Sequence, residues 1–316
     1  MRQILITGGA GFIGSCLCEK LIEDKNNFVV IVDNLTTGSI SKLPTKHKGR
    51  WKFIKCNVNN YRDISKVFLF YNFDYIFHYA AVVGVQRTQE NQKKVLKDLH
   101  GIEHILDLSK NSKIKKIFFS SSSEVYGESV EFPQNENVTP LNSRIPYAIV
   151  KNACEAYLKS YNKEYGIKYT IFRFFNTYGS KQNKDFVIPR FLNLALTNSP
   201  ITIYGNGSQT RTFCFIDDNI DATYSIFSDS CKNDNYPNDI INIGGDNEIK
   251  IIDLAKTIIK LTNSKSELIH LPPLKDGDMQ RRLPDITKMK KILKRELISL
   301  ENGIEKILKD TSYIMG

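Results

Sequence analysis

A glycine-rich turn near the amino terminus is the feature that most limits how this chain can fold. The apolar run Ile4–Ile6 leads into the sequence GGAGFIG at residues 8–14, and apolar residues at helical spacing follow it. Glycine is required at such a turn because the backbone bends sharply and no Cβ can stand between it and a bound group. The helix that follows offers its free amides and its positive dipole to an anion. The sequence therefore predicts a strand, a phosphate-binding turn and a helix in that order.

The alternation of short apolar runs and amphipathic stretches continues to about residue 179. The predicted buried strands are centred on residues 4–6, 29–32, 53–54, 75–77, 117–119 and 170–174. This alternation is typical of right-handed βαβ units, and it predicts an α/β fold with a Rossmann, doubly wound parallel sheet. After residue 179 Pro and Gly become denser, which favours a smaller α+β substrate lobe. We expect a Rossmann domain over residues 1–179, to which residues 213–243 return, and a second domain over residues 180–316.

A carboxylate at the end of the second predicted strand is the second feature that indicates a dinucleotide-binding site. Asp33 follows the glycine turn by about 20 residues, where a carboxylate accepts hydrogen bonds from the adenosine ribose hydroxyls. Its charge would repel a 2′-phosphate, and no arginine follows it closely. The glycine turn and Asp33 together predict NAD rather than NADP as the cofactor.

A tyrosine and a lysine four residues apart are the candidate catalytic pair. A helix that begins near Pro146 presents Tyr147 and Lys151 on one face. Ionising a phenol at neutral pH requires about 4 kcal/mol, and one ammonium about 4 Å away at an effective dielectric of about 20 contributes on that order. Lys151 and a positively charged nicotinamide together are therefore expected to hold Tyr147 as the phenolate. Upstream, the sequence SSSSE at residues 120–124 ends another predicted strand, where open α/β sheets bind their ligands.

In this order and spacing the motifs resemble those of the extended short-chain dehydrogenases/reductases, specifically the nucleotide-sugar epimerase/dehydratase branch to which UDP-glucose 4-epimerase belongs. The resemblance covers nearly the whole chain. Its motifs are TGGAGFIG (7–14), DNL (33–35), HYAA (78–81), SSSSEVYG (120–127), YAIVK (147–151), RFFNTYG (173–179), YGNGSQTR (204–211) and RRLPD (281–285).

The resemblance implies a role for each matching residue. Tyr147 removes the proton from O4 of the sugar while C4 passes a hydride to NAD, Lys151 holds the nicotinamide ribose and tunes Tyr147, and Ser122 hydrogen-bonds to O4. The implied NAD contacts are Gly8, Gly11, Phe12, Ile13, Gly14, Asp33, Asn34, Asn57, Val58, Ala80, Ala81, Ser120, Tyr147 and Lys151. The implied contacts to the nucleotide diphosphate are Asn176, Arg211 and Arg281 or Arg282. A guanidinium fork suits phosphate oxygens, although Arg211 is also compatible with a surface ion pair.

Three positions depart from the family pattern. Asn57 stands where an aspartate usually contacts the adenine. Asp98 replaces a usual asparagine, which puts one structural hydrogen bond in doubt. Glu124 is common at its position in hexose 4,6-dehydratases and usually absent from 4-epimerases, but the neighbouring Ser123 is a poor proton donor for a departing hydroxyl.

These observations favour NAD-dependent oxidation at C4 of a nucleotide-diphospho-sugar, with 4-epimerisation as the outcome. One alternative is a dehydrogenase that releases the 4-keto hexose or heptose. Another is a 4,6-dehydratase in which Glu124 removes the C5 proton. A non-catalytic NAD-sensing protein is the alternative from a different class, and the intact Tyr147, Lys151 and Ser122 argue against it. The sequence leaves the base and the sugar open.

The composition and the spacing of charged, apolar and cysteine residues limit which partners the protein can bind. Lys and Arg number 44 against 34 Asp and Glu, a net charge of +10, but the charges are dispersed and no aromatic-interleaved basic patch indicates a nucleic acid. No apolar run reaches the roughly 18 residues of a membrane span, and no secretory signal begins the sequence, so we expect a cytoplasmic protein. The six cysteines lack metal-binding spacing, so we expect no metal. Helices near residues 87–110 and 147–165 resemble the pair that forms the family's dimer interface, so we expect a homodimer.

Overall fold

The computed structural model describes residues 1–128, 131–273 and 279–310. Its internal contacts divide the chain into two compact units. Unit 1 contains residues 1–125, 143–173 and 220–241, and unit 2 contains residues 126–142, 174–219 and the chain from residue 242. This division places residues 126–142 with the later part of the chain, because the backbone of Gln134 hydrogen-bonds to Leu283 and Asp285. The domain limits expected from the sequence stay a prediction.

Twenty-four helices and strands are named here in chain order. They are β1 (Arg2–Thr7), α1 (Phe12–Leu21), β2 (Asn27–Asp33), β3 (Trp51–Lys55), α2 (Tyr61–Phe70), β4 (Tyr75–His78), α3 (Val85–Glu90), α4 (Gln92–Leu96), α5 (Asp98–Ser109), β5 (Lys116–Ser122), α6 (Pro146–Tyr165), β6 (Tyr169–Phe174), β7 (Thr177–Tyr178), α7 (Val187–Leu196), β8 (Ile201–Tyr204), β9 (Thr210–Thr212), β10 (Cys214–Phe215), α8 (Ile216–Lys232), β11 (Asp239–Ile243), β12 (Glu248–Lys250), α9 (Ile251–Leu261), β13 (Leu268–Leu271), α10 (Thr287–Leu293) and α11 (Leu300–Lys309).

The central sheet has seven strands in the order β3-β2-β1-β4-β5-β6-β11. The four pairings from β3 to β5 are parallel. The runs Ile4–Ile6 and Val29–Val32 are fully buried, as expected for β-branched strands covered on both faces. The predicted Rossmann sheet and its six predicted strands are confirmed. The glycine turn, Asp33 and the serines of residues 120–122 lie at the carboxyl ends of β1, β2 and β5 of this sheet.

Unit 2 is an α+β arrangement with short strand pairs. β7 pairs with β10 and β8 with β13 in parallel, whereas β9 and β12 are antiparallel. Helix α9 packs against α7 and α11. Within the described residues, no helix has both the length and the apolar character required to cross a bilayer.

Helix α6 carries the YAIVK motif, and its ends are set by local sequence. Pro146 occupies the first turn, where its missing N–H costs nothing, and Gly166 ends the helix in the left-handed region at φ 72°. Glu155 lies one turn beyond Lys151 and is fully buried. Arg173 of β6 pairs with it through two bonds, from Nε to Oε1 at 3.0 Å and from Nη2 to Oε2 at 2.7 Å. The Ser121 hydroxyl of β5 donates to Oε1 at 2.6 Å, so one carboxylate joins the helix to two strands.

We expect Arg173→Met to lower the free energy of unfolding by about 3–5 kcal/mol, because Glu155 would keep a buried charge without its cation. Urea denaturation followed by circular dichroism measures this loss. The matched control is Lys232→Met, which breaks an exposed pair with Asp229 at 3.3 Å and is expected to cost less than about 1 kcal/mol. Equal losses in the two variants would contradict the importance of the buried pair.

Candidate active site

The glycine turn brings backbone against backbone at the end of β1. Gly8 has φ +70°, and a Cβ there would lie 2.7 Å from the amide nitrogen of Ala80, just after β4. A Cβ on Gly14 would lie 2.5 Å from the Gly8 carbonyl oxygen. Gly11 is the N-cap of α1 and has no side chain to occupy the amides of the first turn. The turn therefore keeps the space and the donors that a pyrophosphate requires.

Asp33 is fixed at the end of β2 by two backbone amides. Its Oδ2 accepts from Ala10 at 3.1 Å and its Oδ1 accepts from Leu35 at 2.8 Å. Burial raises the pKa of Asp33, and these two hydrogen bonds and the charge of Lys42 oppose that rise. A Cβ on Gly38 would lie 2.8 Å from Oδ1, so the chain passes close over the carboxylate. Each oxygen keeps a further lone pair for a ribose hydroxyl, which fits NAD.

The remaining predicted NAD contacts lie in loops and first turns at the same edge of the sheet. Phe12 and Ile13 begin α1, Ala80 and Ala81 follow β4, and all four are half-buried. Asn34 and Asn57 each accept a backbone N–H two residues ahead, from Thr36 at 2.9 Å and from Asn59 at 3.1 Å. Val58 is buried beside Asn57. The roles of these residues in cofactor binding stay predictions.

Lys151 is the more buried member of the candidate catalytic pair. It is 4% exposed, and its Nζ donates to the carbonyl oxygen of Ser120 at 2.6 Å. The same Nζ lies 4.8 Å from the centroid of the Phe119 ring and 5.9 Å from that of Tyr147. Burial lowers the pKa of Lys151. The lysine is thus held between the end of β5 and the half-buried Tyr147.

Ser122 and Glu124 lie at the carboxyl end of β5. Ser122 is 9% exposed, and its Oγ accepts from the amide of Glu124 at 3.2 Å. This bond uses a lone pair, so the hydroxyl can still donate its hydrogen to a sugar oxygen. Glu124 is half-buried in a short 3₁₀ turn, Ser123–Tyr126, and Ser123 is buried.

A buried pair formed by Thr7 and His78 supports the glycine turn, and no sequence motif indicated this role. The Thr7 hydroxyl oxygen accepts from the amides of Tyr79 and Ala80 at 3.1 and 3.2 Å. Its hydrogen is therefore directed at Nδ1 of His78, 2.8 Å away. Burial lowers the pKa of His78 to about 3, and the Lys151 charge adds to this effect. The imidazole is neutral, which the HYAA motif alone did not indicate.

Two of the predicted diphosphate contacts in unit 2 are oriented by backbone carbonyls. Asn176 has φ 33° and donates from Nδ2 to the Thr212 carbonyl oxygen at 3.0 Å. Arg211 of β9 donates from Nη1 to the carbonyl oxygen of Thr210 at 2.7 Å. Both side chains are half-buried, so part of each remains accessible to solvent while these hydrogen bonds orient it.

The two candidate arginines at residues 281 and 282 differ in their environments. Arg281 forms two bonds to Glu248, at 2.8 and 2.9 Å, and its guanidinium lies 4.7 Å from the centroid of the Phe132 ring. Arg282 is buried, and its Nε and Nη2 lie 3.3 and 3.1 Å from Sδ of Met279, a weak acceptor. Any phosphate would compete with Glu248 for Arg281.

The fold and the residues in unit 1 define a class. A glycine turn after β1, a carboxylate at the end of β2 and a tyrosine–lysine pair on α6, beside the end of β5, are the parts of a Rossmann-fold dehydrogenase of the short-chain type.

Comparison with known proteins makes this assignment narrower. The sequence model of the NAD dependent epimerase/dehydratase family matches residues 4–244. A protein described as a putative UDP-glucose 4-epimerase of Methanocaldococcus jannaschii is 34% identical, over 97% of each chain. A UDP-N-acetyl-alpha-D-glucosaminuronate decarboxylase of Bacillus cytotoxicus is also 34% identical, over 97% of each chain. The crystal structure of UDP-glucose 4-epimerase with UDP-glucose from Thermotoga maritima superposes with a TM-score of 0.90 at 30% identity and 100% coverage of both chains.

The chain belongs to the NAD-dependent epimerase/dehydratase family. It is an NAD-dependent enzyme of the nucleotide-sugar epimerase/dehydratase type, so the non-catalytic alternative is wrong. Decarboxylation, the reaction in the name of the Bacillus cytotoxicus relative, was not among the outcomes expected from the sequence.

We expect Gly14→Ala to weaken NAD binding by about tenfold or more, because the new methyl group would press on the Gly8 carbonyl and distort the turn. Isothermal titration calorimetry with NAD measures the change. Gly49→Ala is the control, since a Cβ at that position meets no atom within 4 Å. Unchanged affinity in the Gly14 variant, with the fold intact, would show that this turn does not bind the cofactor.

Proposed function

We propose that the enzyme oxidises C4 of a nucleotide-diphospho-sugar and yields the C4 epimer. The observation that carries this proposal is the position of Lys151, buried on the Ser120 carbonyl and 5.9 Å from the Tyr147 ring. A buried ammonium beside a phenol stabilises the phenolate, and a phenolate is the base that a sugar carbinol requires. The relatives named as UDP-glucose 4-epimerases support the same reaction.

The chain supplies binding and proton transfer. Bound NAD would provide the hydride acceptor for C4 and the hydride donor for the ketone. Tyr147 takes the proton from O4 and returns it when the alcohol is restored. Lys151 keeps Tyr147 ionised and binds the nicotinamide ribose. Ser122 donates to O4 and so fixes the sugar hydroxyl against Tyr147.

The substrate-binding half of the proposal rests on unit 2. We assign Asn176, Arg211 and Arg281 or Arg282 to the nucleotide diphosphate, because amide and guanidinium donors match its oxygens. The backbone bonds of Asn176 and Arg211 support this assignment by orienting their side chains in advance. UDP is the nucleotide of the named relatives and is our first candidate here.

Decarboxylation is the second candidate, because several relatives are named UDP-glucuronic acid decarboxylases. Oxidation at C4 of a uronate places a ketone β to the carboxylate, so carbon dioxide can leave without a further catalyst group. The same first step therefore serves both outcomes. Dehydration by way of Glu124 has less support, since the adjacent Ser123 is buried and is not an acid.

We also propose a homodimer formed through α5 and α6, which pack against each other. Tyr157, Tyr161 and Tyr165 form a row along α6 with ring centroids 6.4 and 5.2 Å apart. Ile149, on the same helix, is 46% exposed. These apolar groups fit a helix-to-helix interface between two copies.

Incubation with UDP- and GDP-linked hexoses and uronates tests the reaction. We expect one of these compounds to give a product of unchanged mass with inverted C4, detected by mass spectrometry and proton NMR. Loss of water would mean a dehydratase, loss of two hydrogens a dehydrogenase, and loss of carbon dioxide a decarboxylase. Each of the last three results would replace epimerisation as the assigned outcome.

The assignment of the base is tested by Tyr147→Phe. We expect kcat to fall by about 10²–10⁴-fold, because O4 loses its proton acceptor, while NAD affinity stays unchanged. Tyr157→Phe removes a hydroxyl from the same helix and is expected to keep the full rate. A fully active Tyr147→Phe variant would remove Tyr147 from the mechanism.

A further inference from the structure

Asn242 of β11 is a fully buried residue whose side chain bonds to three separate segments of the chain. Its Nδ2 donates to the carbonyl oxygens of Gln134 at 2.8 Å and of Asp285 at 3.2 Å. Because carbonyl oxygens only accept hydrogen bonds, Nδ2 must face them and Oδ1 must face the third partner. That partner is the hydroxyl of Tyr126, which donates to Oδ1 at 2.8 Å. The carboxamide therefore has one orientation, and both of its hydrogens are used.

Tyr126 is the last residue of the 3₁₀ turn that follows Ser122. It is buried, and its ring centroid lies 6.0 Å from that of Phe175. The next residue, Gly127, has φ +60°, and a Cβ there would overlap the carbonyl oxygen of Asn142. The chain is thus closely packed at the point where this turn ends.

The same turn sets the direction of the Ser122 hydroxyl. The Oγ of Ser122 accepts from the amide of Glu124 at 3.2 Å, so the position of that amide decides where the hydroxyl hydrogen can point. The Glu124 amide lies in the middle of the turn, two residues before Tyr126. A shift of the tyrosine at the end of so short a turn would therefore move the amide and redirect the hydroxyl.

Other contacts hold the turn together when the tyrosine hydroxyl is removed. The carbonyl oxygen of Val125 accepts from Oγ of Ser143 at 2.8 Å. A phenylalanine at position 126 would keep the ring contact with Phe175. We therefore expect loss of the Tyr126–Asn242 bond to displace the turn without unfolding it.

We propose that Tyr126 and Asn242 are positioning residues for catalysis: their hydrogen bond fixes the turn after Ser122 and thereby aims the Ser122 hydroxyl at O4 of the sugar. This proposal rests on the role proposed above for Ser122. Both residues act through Ser122 and not on the substrate itself. The sequence indicated a separate role for neither of them.

The test is a double-mutant cycle between Tyr126→Phe and Ser122→Ala, with kinetics on the nucleotide sugar that reacts in the assay above. We expect Tyr126→Phe to lower kcat by about tenfold and to leave KM within about twofold, because a misdirected donor slows the chemical step but not binding. In the Ser122→Ala background the same exchange should change kcat by less than about twofold, because no hydroxyl remains to be aimed.

Tyr75→Phe is the matched control. Tyr75 is also buried, and its hydroxyl donates to the carbonyl oxygen of Ser230 at 3.4 Å. It begins β4, at the edge of the sheet opposite the carboxyl ends of the strands. We expect its kcat to equal that of the wild type. Calorimetric titration with NAD should give the same affinity for every variant, which shows that each is folded.

The outcomes separate this proposal from the proposed function. If Ser122→Ala is impaired but Tyr126→Phe keeps the full kcat, the bond does not aim the hydroxyl and the proposal is overturned. An equal fold-loss from Tyr126→Phe in both backgrounds would mean that the bond is only structural, which also overturns it. If Ser122→Ala keeps the full rate, the error lies in the role proposed for Ser122, and the positioning role is lost with it.

Discussion

The arrangement of the active site depends on one buried ion pair. Residues 147, 151 and 155 recur every four positions along α6, so fixing one of them fixes the rotation of the others about the helix axis. Arg173 and Ser121 hold Glu155 against two neighbouring strands. With Glu155 held, Lys151 lies against the end of β5, where its Nζ donates to the Ser120 carbonyl oxygen. Apolar replacements of buried ion pairs are often neutral for stability. We therefore attribute to this pair the rotational orientation of α6 rather than a large net stabilisation.

A second constraint fixes the cofactor turn relative to β4. Gly8 approaches the Ala80 amide so closely that no side chain fits, and the Thr7 hydroxyl bonds to that same amide. The neutral His78 completes this contact. Asp98 then holds Val82, further along the segment after β4. A change at Asp98 would therefore disturb the segment after β4, against which the cofactor turn packs.

The sequence predicted the parts of this site that depend on local order. Apolar runs located the strands of the sheet, and the spacing of Tyr147 and Lys151 after Pro146 placed both on one helix face. Pairings between distant residues were beyond such reasoning. Two ion pairs, Glu155–Arg173 and Glu248–Arg281, follow from tertiary packing. Nothing in the local sequence pattern indicates either of them. The same holds for Gln134, whose backbone bonds to Leu283 and Asp285 join its segment to the later part of the chain.

The presence of Glu124 does not by itself decide between epimerisation and dehydration. The backbone amide of Glu124 donates a hydrogen bond to Oγ of Ser122, and any residue at position 124 other than proline could make this bond. A glutamate is therefore compatible with an enzyme that only positions the O4 hydroxyl. Once C4 is a ketone, the substituent on C5 sets the easiest next step. A carboxylate is lost as carbon dioxide, whereas a hydroxymethyl group loses only its hydroxyl as water, which requires a base for the C5 proton and an acid for the departing hydroxyl. Ser123, beside Glu124, is buried and is not an acid, which is why we propose reduction back to the alcohol rather than dehydration for a hexose.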